Sequence, residues 1–533
     1  MGYCSEWAMR RIWLASCNAL LISQPCWSPC GRGFSPLIPS RKSWRNYFRS
    51  IARWRQGIRY DSFATNLCQE KTMQQDLSTP SFNVTRPSPK AMLIGIDSAT
   101  WRVMMPLIQD GRLPNFARLM EDGAYGPMKT FYPTLSPLIW ATISTGKSPD
   151  KHGMKAFTVL KVPGLKRGIY DYRWEQLTPF TKLLYRLGRV HWWKRLLLQA
   201  GVIKSIPLTS NFRQCKAIWN IAGDCGRMTG FVSWWNSWPA ERVNGFTISQ
   251  YVEHLLNSST ANLDQVTYPP ELLAEAMQFT RMDQVMTPEE VRRFFNLSPE
   301  EIQELALFRY DPIDPEPEQY HPATFLKLVY LRHEFRAQAG LYFYQKYRPD
   351  LFGLFLSADA AQHFFWHCLE PQYFSDINPE EIAKYGGVIR NWYIYLDEII
   401  GRFLAEADEN TSIIVVSDHG HSPSGKLPWS GQHDDAPDGI IVLSGKAIKP
   451  GIVLEGASVY DVTPTVLALM GLPVAEDMDG RVLMEALAPE FLAQYPLRTV
   501  ETFETGEINE HVVLESEVDE VVKARLRDLG YIE

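Results

Sequence analysis

The sequence has no apolar run long enough for a membrane-spanning helix. No uninterrupted stretch in its 533 residues approaches the roughly 20 apolar residues that a span needs. It also has no internal repeat and no large excess of one charge. The net charge of −6 gives no electrostatic reason to expect a nucleic-acid polymer as partner. With 45% hydrophobic and 21% charged residues, the composition is that of a soluble globular protein.

Cysteines are few and scattered. Five of the eight lie before residue 70, and the other three are Cys215, Cys225 and Cys368. These spacings match neither a disulfide framework nor a cysteine zinc site. The sequence therefore argues against a small fold stabilised by cysteines.

The N-terminal region differs in composition from the rest. Residues 1–60 contain ten Arg or Lys and one acid, Glu6. The apolar stretch Ile12–Ser23 could belong to a secretory signal, but it is short and no clear cleavage site follows; an organelle transit peptide also fits. We predict that residues 1–90 are a basic, poorly ordered extension. We expect a cytoplasmic protein, or an exported or organellar one if this segment is a targeting signal.

Three short apolar runs are each followed by an aspartate. They are Met92–Ile96 before Asp97, Leu351–Leu356 before Asp359, and Ile413–Val416 before Asp418. Runs of this length, with helical patterns between them, are typical of strands buried on both faces. We predict an α/β fold with a doubly wound, mostly parallel sheet and helices on both faces. Because parallel strands end at one edge of a sheet, the three carboxylates should converge there.

Histidines accompany two of these aspartates. Asp359 precedes His363 by four residues, so a helix would place both on one face, where they could share a metal ion. His419 follows Asp418 directly. Any one of these aspartates could instead be only a helix cap or a turn residue. The pairing with histidine favours a metal site.

A further histidine, His433, lies in the loop before the apolar run Ile440–Leu443. It could be a metal ligand or a solvated loop residue. In the second case Asp434 or Asp435 could take its place as ligand.

Ser136 is the candidate nucleophile. It precedes Pro137, which suits the first position of a helix, so Ser136 is expected as the N-cap. The role could be only structural, but a helix N-terminus also offers free amides that bind phosphate. Thr134 is a rival hydroxyl in the same loop.

Taken in order, these residues resemble the alkaline phosphatase superfamily, and most closely its type I phosphodiesterase/nucleotide pyrophosphatase family. The resemblance covers roughly residues 91–485. The motifs that carry it are Asp97, Ser136 with the segment Thr145–Gly153, Asp359-x-x-x-His363, Ser417-Asp418-His419-Gly420, and His433.

The resemblance implies two divalent metal ions, Zn²⁺ or alternatively Mn²⁺, and a small phosphate ester as substrate. One ion would be held by Asp359, His363 and His433. The other would be held by Asp97, Asp418, His419 and the Ser136 oxygen. It also implies hydrolysis through a phospho-Ser136 intermediate.

Two departures from the family pattern bear on specificity. The nucleotide pyrophosphatases usually have threonine where this sequence has Ser136. They also have an asparagine that holds a phosphoryl oxygen, and Phe157 stands at that place. A nearby lysine could supply the missing positive charge or could simply be a surface residue; the three candidates are Lys147, Lys151 and Lys155.

The alternatives within the superfamily are a phosphomonoesterase, a phosphonate hydrolase and another phosphoryl transferase. A sulfatase would need Cys or Ser followed by x-Pro-x-Arg, which the Ser136 segment lacks. An alternative of another class is a non-catalytic binding protein on the same fold.

Two inserted helical segments, near residues 158–210 and 251–340, should select the substrate within a catalytic domain of residues 91–485. Leu183–Leu198 in the first is basic and amphipathic, so it could lie on a membrane surface or pack on its own domain. We predict that residues 486–533 form a tail with a short helix, Val518–Leu529.

Overall fold

The computed structural model describes residues 88–165, 168–172, 177–178, 180–183, 190–252, 265–281, 283–309, 321–375, 377–433, 437–505 and 523. Residues Val84–Glu533 form one compact unit. The expected extension over residues 1–90 lies almost wholly outside the described residues and stays a prediction.

Strands and helices alternate along the described chain. The strands are β1 Lys90–Asp97, β2 Gly123–Lys129, β3 Thr158–Lys161, β4 Ile169–Tyr170, β5 Lys204–Pro207, β6 Thr229–Val232, β7 Gly245–Ile248, β8 Thr267–Tyr268, β9 Leu351–Ser357, β10 Thr411–Val416, β11 Ser422–Pro423, β12 Gly431–Gln432, β13 Gly439–Ser444, β14 Ile452–Val453, β15 Ala457–Ser458, β16 Val474–Ala475 and β17 Thr499–Val500. The helices are α1 Trp101–Gln109, α2 Pro114–Glu121, α3 Ser136–Thr145, α4 Pro149–His152, α5 Val190–Gln199, α6 Ile218–Asp224, α7 Leu272–Ala276, α8 Pro288–Phe294, α9 Pro299–Leu307, α10 Pro322–Tyr347, α11 Asp359–Leu369, α12 Pro379–Tyr385, α13 Val388–Glu406, α14 Val462–Leu469 and α15 Pro489–Gln494.

A ten-stranded sheet forms the centre of the unit. Its order is β14-β2-β13-β10-β1-β9-β6-β7-β8, and β15 also pairs with β2. Strand β1 pairs in parallel with β10 and β9, and β9 pairs in parallel with β6. Strands β13 and β8 are antiparallel to their neighbours. The prediction of a mostly parallel α/β sheet is therefore confirmed.

Alternate side chains of the central strands enter two hydrophobic cores, one on each face of the sheet. On β1, Met92, Ile94 and Ile96 pack into the core that includes residues of α10, α11 and α13. Ala91 and Leu93 pack into the other core, with residues of α3, α6 and α14. Strands buried on both faces explain why their sequences are continuous apolar runs.

The first predicted insertion is not purely helical. It contains a small antiparallel sheet, in the order β4-β3-β5, and helix α5 lies between β4 and β5 in the chain. Its Val159 and Ile206 pack in a cluster with Ala141 of α3. The second insertion contains α7 to α9, and most of α10 belongs to the main core. Among the described residues, no helix is long and apolar enough to cross a membrane.

Residues 486–505, which follow the predicted catalytic domain, contact the rest of the unit. Strand β17 pairs in parallel with β16, and Glu504 forms an ion pair with Lys147 at 2.9 Å. The predicted helix Val518–Leu529 lies outside the described residues except for Lys523, which is helical and buried.

Candidate active site

The three aspartates lie at one edge of the sheet because their strands are neighbours. Asp97 ends β1 and pairs in register with Ser357 at the end of β9, two residues before Asp359. Asp418 follows β10, the other neighbour of β1. Strand β13 runs antiparallel to β10, so it begins at this same edge, after the loop that contains His433. The topology therefore brings four chain segments to one place.

Asp97, Asp418 and His419 form one group of buried candidate ligands. One ligand atom from each lies within 4.8 Å of the others. His419 Nε2 is 3.3 Å from Asp418 Oδ2, while His419 Nδ1 contacts the carbonyl of Gly420 at 2.9 Å. This second contact fits a tautomer with the proton on Nδ1, which leaves Nε2 as the ligand atom. All three residues were predicted at one ion.

Asp359, His363 and His421 form a second group of the same size. Asp359 and His363 lie one turn apart on α11, with Oδ1 and Nε2 3.8 Å apart. His363 Nδ1 contacts the carbonyl of Gly431 at 3.0 Å, so its Nε2 is again the nitrogen directed to the carboxylate.

His421 was missed by the sequence reasoning. Its Nδ1 is 3.8 Å from Asp359 Oδ1, and its ring lies fully buried beside Trp366 at 5.5 Å between centroids. A side chain at residue 431 would collide with it, because a Cβ on Gly431 would be 2.5 Å from His421 Nε2. The feature of the sequence that could have identified His421 as a candidate ligand is its position two residues after His419.

His433 lies between the two groups. Its ring centroid is 5.5 Å from that of His363 and 5.0 Å from that of His419. Its assignment to the first ion stays a prediction, and Asp434 and Asp435 lie outside the described residues.

The carboxylates are unusually crowded for buried groups. Ser98 Oγ donates to Asp97 Oδ1 at 3.0 Å and lies 3.2 Å from Asp359 Oδ1, so it links the two groups. Burial, followed by the Asp359 charge, raises the pKa of Asp97. Burial, followed by the Asp97 charge, raises the pKa of Asp418 to about 8. A nearby positive charge would relieve this repulsion.

The residues present fit a pair of cations. Among the described residues, no hydrogen-bond partner is found for Asp418 Oδ2, His419 Nε2 or either ring nitrogen of His421, although all are buried. Buried polar atoms normally have partners, because leaving them without one costs free energy. Imidazole nitrogens with carboxylate oxygens are a donor set that Zn²⁺ and Mn²⁺ accept.

Ser136 is the first residue of α3, and Leu135 is the N-cap. The helix thus begins one residue earlier than the sequence indicated, because Pro137 fits the second helical position as well as the first. Ser136 Oγ is buried and has no hydrogen-bond partner in the described part of the chain.

Contacts on either side of Ser136 direct this helix end to the metal-ligand groups. Trp140, one turn further along α3, has its Nε1 3.4 Å from Asp97 Oδ2. Before the helix, Thr134 Oγ1 donates to the carbonyl of His433 at 2.6 Å. Since residues four apart share a helix face, we expect Ser136 on the face that meets Asp97.

Close packing fixes the position of α3. Gly95 lies against Trp140, where a Cβ would be 2.6 Å from two ring carbons. Asn236 Nδ2 donates to the carbonyl of Pro137 at 2.8 Å, which holds the first turn from the other side.

The three lysines and the phenylalanine that the sequence suggested for the site make contacts that stabilise the fold. Each of the three lysines is paired with a carboxylate: Lys147 with Asp477 and Glu504, Lys151 with Asp479, and Lys155 with Asp150. Phe157 is buried in the main core. Trp234, fully buried in the other core, contacts Trp140 at 5.3 Å between centroids and so packs against α3.

Fold and site together describe an α/β protein with two adjoining groups of candidate metal ligands beside a helix that begins with serine. Residues 91–450 match the family model of type I phosphodiesterase / nucleotide pyrophosphatase. The chain therefore belongs to that family, which confirms the family prediction and agrees with a hydrolase of phosphoric ester bonds.

Curated relatives match over a short segment only. A 2,3-bisphosphoglycerate-independent phosphoglycerate mutase of Laribacter hongkongensis is 36% identical over 76 residues, which are 14% of this chain and 15% of that protein. The Aeromonas salmonicida protein of the same name is 35% identical over 94 residues, 17% of this chain and 18% of that one. The matches thus span less than a fifth of those relatives.

Solved structures with similarity to the chain include two hydrolases. Murine ectonucleotide pyrophosphatase / phosphodiesterase 5 has a TM-score of 0.40 and 11% identity, and the match covers 75% of this chain and 100% of that one. Phosphonoacetate hydrolase from Sinorhizobium meliloti has a TM-score of 0.30 and 17% identity, with 64% and 59% covered.

Proposed function

We propose that this protein hydrolyses small phosphate esters at a two-metal site, with Ser136 as nucleophile and diesters as the preferred class. The observation that carries the proposal is the pair of buried Asp/His groups joined by Ser98, beside the N-terminus of the Ser136 helix. Family membership supports the ester chemistry.

Each group would hold one divalent cation. Asp97, Asp418 and His419 would hold the ion next to Ser136, and Asp359 and His363 would hold the other, with His421 or His433 as the third protein ligand. Bound cations would lower the pKa of the serine hydroxyl and offset negative charge on the phosphoryl oxygens.

The chain itself would position the nucleophile and the phosphoryl group. Trp140 and Gly95 fix α3 against the end of β1, and this packing would hold Ser136 Oγ toward the metal ligands. The N–H of Ser136 would bind a phosphoryl oxygen; Pro137 has no N–H, and the N–H groups of Leu138 and Ile139 already donate to the carbonyl of Leu135 at 2.9 and 3.1 Å. Attack by Ser136 Oγ, with loss of its proton, would displace one alcohol of the diester and leave the remaining monoester group esterified to Ser136. Water would then hydrolyse this Ser136 ester and release the phosphate monoester.

A second candidate is a transferase that passes the phosphoryl group from Ser136 to an alcohol instead of water. The local match to phosphoglycerate mutases favours it. Turnover in the presence and absence of an added alcohol acceptor, with product identification, separates the two.

The test is a substrate comparison with the metal-loaded full chain. We expect bis-(p-nitrophenyl) phosphate to be cleaved with higher kcat/KM than p-nitrophenyl phosphate, and both activities to disappear on chelation and return with added metal. The control is Asp418→Asn, which removes a ligand charge and should be inactive with both compounds. A monoester preference of about tenfold, or about 1.4 kcal/mol in transition-state stabilisation, would contradict the diester assignment. Activity that survives chelation would contradict the metal site.

A further inference from the structure

Helix α5 exposes a row of large apolar side chains. Trp192 and Trp193 are 56% and 53% exposed, and Leu196 and Leu197 are 42% and 36% exposed. At about 100° per residue these four positions fall on one side of the helix. We call them the Trp/Leu face. Exposed apolar residues are normal when single, but a contiguous set of this size marks an interaction surface.

The helix is attached to the rest of the insertion by its polar side. Lys194 Nζ lies 2.6 Å from Asp171 Oδ1, and Leu198 is partly buried. The small sheet of the insertion packs through Val159 and Ile206 on the α3 side of the unit. Beside this attachment, the four residues of the Trp/Leu face stay exposed in the described part of the chain.

Other described residues of the insertion add to the exposed apolar area. Phe180, Leu183 and Val202 are all exposed. In the described part of the segment Leu183–Leu198, which was predicted either to pack on its domain or to lie on a membrane, Leu183 and the four residues of the Trp/Leu face are exposed, and Leu198 is partly buried.

The charge of this region is strongly biased. From residue 171 to residue 210 the sequence has seven Lys or Arg and two acids, Asp171 and Glu175, of which Asp171 pairs with Lys194. The whole chain has a net charge of −6, so the positive charge is local. Basic residues beside exposed Trp and Leu are the composition of helices that lie in the interface of an anionic bilayer.

We propose that the Trp/Leu face is a membrane-binding surface that docks on anionic phospholipid bilayers. Indole rings are stable at the level of the head groups, and the leucines would enter the boundary of the acyl chains. Ten residues of helix extend only about 15 Å, so α5 would lie along the surface and not cross it. A second copy of the chain is a less favourable occupant, because a two-fold contact would bring the same positive region against itself.

The test is co-sedimentation of the full chain with vesicles. We expect binding to phosphatidylcholine vesicles that contain phosphatidylglycerol, and binding at least about tenfold weaker without the anionic lipid. Raising the salt from about 0.05 M to about 0.5 M should release the protein, since screening weakens the basic contacts. Trp192→Ser/Trp193→Ser should lower partitioning about tenfold or more. The double variant Lys182→Glu/Arg195→Glu should lower partitioning onto anionic vesicles.

The matched control is Val453→Ser/Leu497→Ser, which removes two exposed apolar residues from other parts of the unit and should bind like the native chain. Hydrolysis of a soluble diester serves as a folding check and should be equal in all variants. Absence of vesicle binding by the native chain would overturn the proposal. So would binding that the Trp double variant retains in full, which would place the contact elsewhere, or a concentration-dependent dimer that this variant abolishes.

Discussion

At the scale of single residues, His421 in the site and the buried His152 outside it differ in their hydrogen bonding. His152 is as buried as His419, but its Nδ1 accepts from the N–H of Met154 at 3.1 Å and its Nε2 contacts Thr142 Oγ1 at 3.0 Å. For His421, neither ring nitrogen has such a partner among the described residues. Histidines of the first kind are structural, and those of the second kind are suited to a ligand.

The nucleophile assignment is tested by two neighbouring hydroxyls. Ser136→Ala should reduce kcat by several orders of magnitude, because it removes the group that would form the covalent intermediate. The metal content should stay close to native, since Asp97, Asp418 and His419 remain. Thr134→Ala is the matched control: its hydroxyl already donates to His433, so the loss should be about 1 kcal/mol of stability and little turnover. Phosphate mapped to Thr134 by mass spectrometry, or an active Ser136→Ala protein, would reverse the assignment.

The sequence predicts site residues only where their neighbours in the chain mark them. Asp97, Asp359 and Asp418 could be found because each follows a strand, and His363 and His419 because each is close to one of them in the chain. Ser98 contacts Asp359, which lies more than 250 residues later in the chain, and His421 approaches Asp359 from a separate loop. Neither residue is marked by a distinctive local pattern in the sequence.

At the scale of elements, helix α3 connects the sheet to the site. Gly95 allows Trp140 to lie on β1, and Trp140 in turn reaches Asp97. The sequence indicated the helix and its proline, but the first residue differed by one because Pro137 is compatible with two positions. The closeness of β1 and α3 could not be predicted, since it depends on the absence of a single Cβ.

Enlarging Gly95 tests this contact. In Gly95→Ala, the new methyl group would overlap the Trp140 ring, so we expect a loss of about 1–3 kcal/mol in the free energy of unfolding and a fall in kcat from displacement of Ser136. Urea unfolding and steady-state kinetics measure the two effects. Gly223→Ala in α6 is the control, because its Cβ would meet only ordinary contacts at 3.5 Å and should leave both values near native. Native-like kinetics in Gly95→Ala would show that α3 does not depend on this packing.

At the scale of the whole molecule, the candidate site residues lie at one edge of the sheet, although they come from segments spread over more than 300 residues, from Asp97 to His433. The parallel sheet was predictable from repeated apolar runs, and the convergence of the aspartates follows from it. The contents of the insertion over 158–210 were less predictable, because the two-residue and four-residue strands of its small sheet are too short to give a periodic pattern.

The most direct test of the two-metal account is the metal content of the purified full chain. Elemental analysis after dialysis should find two divalent transition-metal ions per native chain. Asp418→Asn and Asp359→Asn should each bind about one ion, because each substitution weakens a different group. His152→Asn, a substitution of a buried histidine outside both groups, should keep two. A native chain with no stoichiometric metal, or two ions retained by both aspartate variants, would contradict the account.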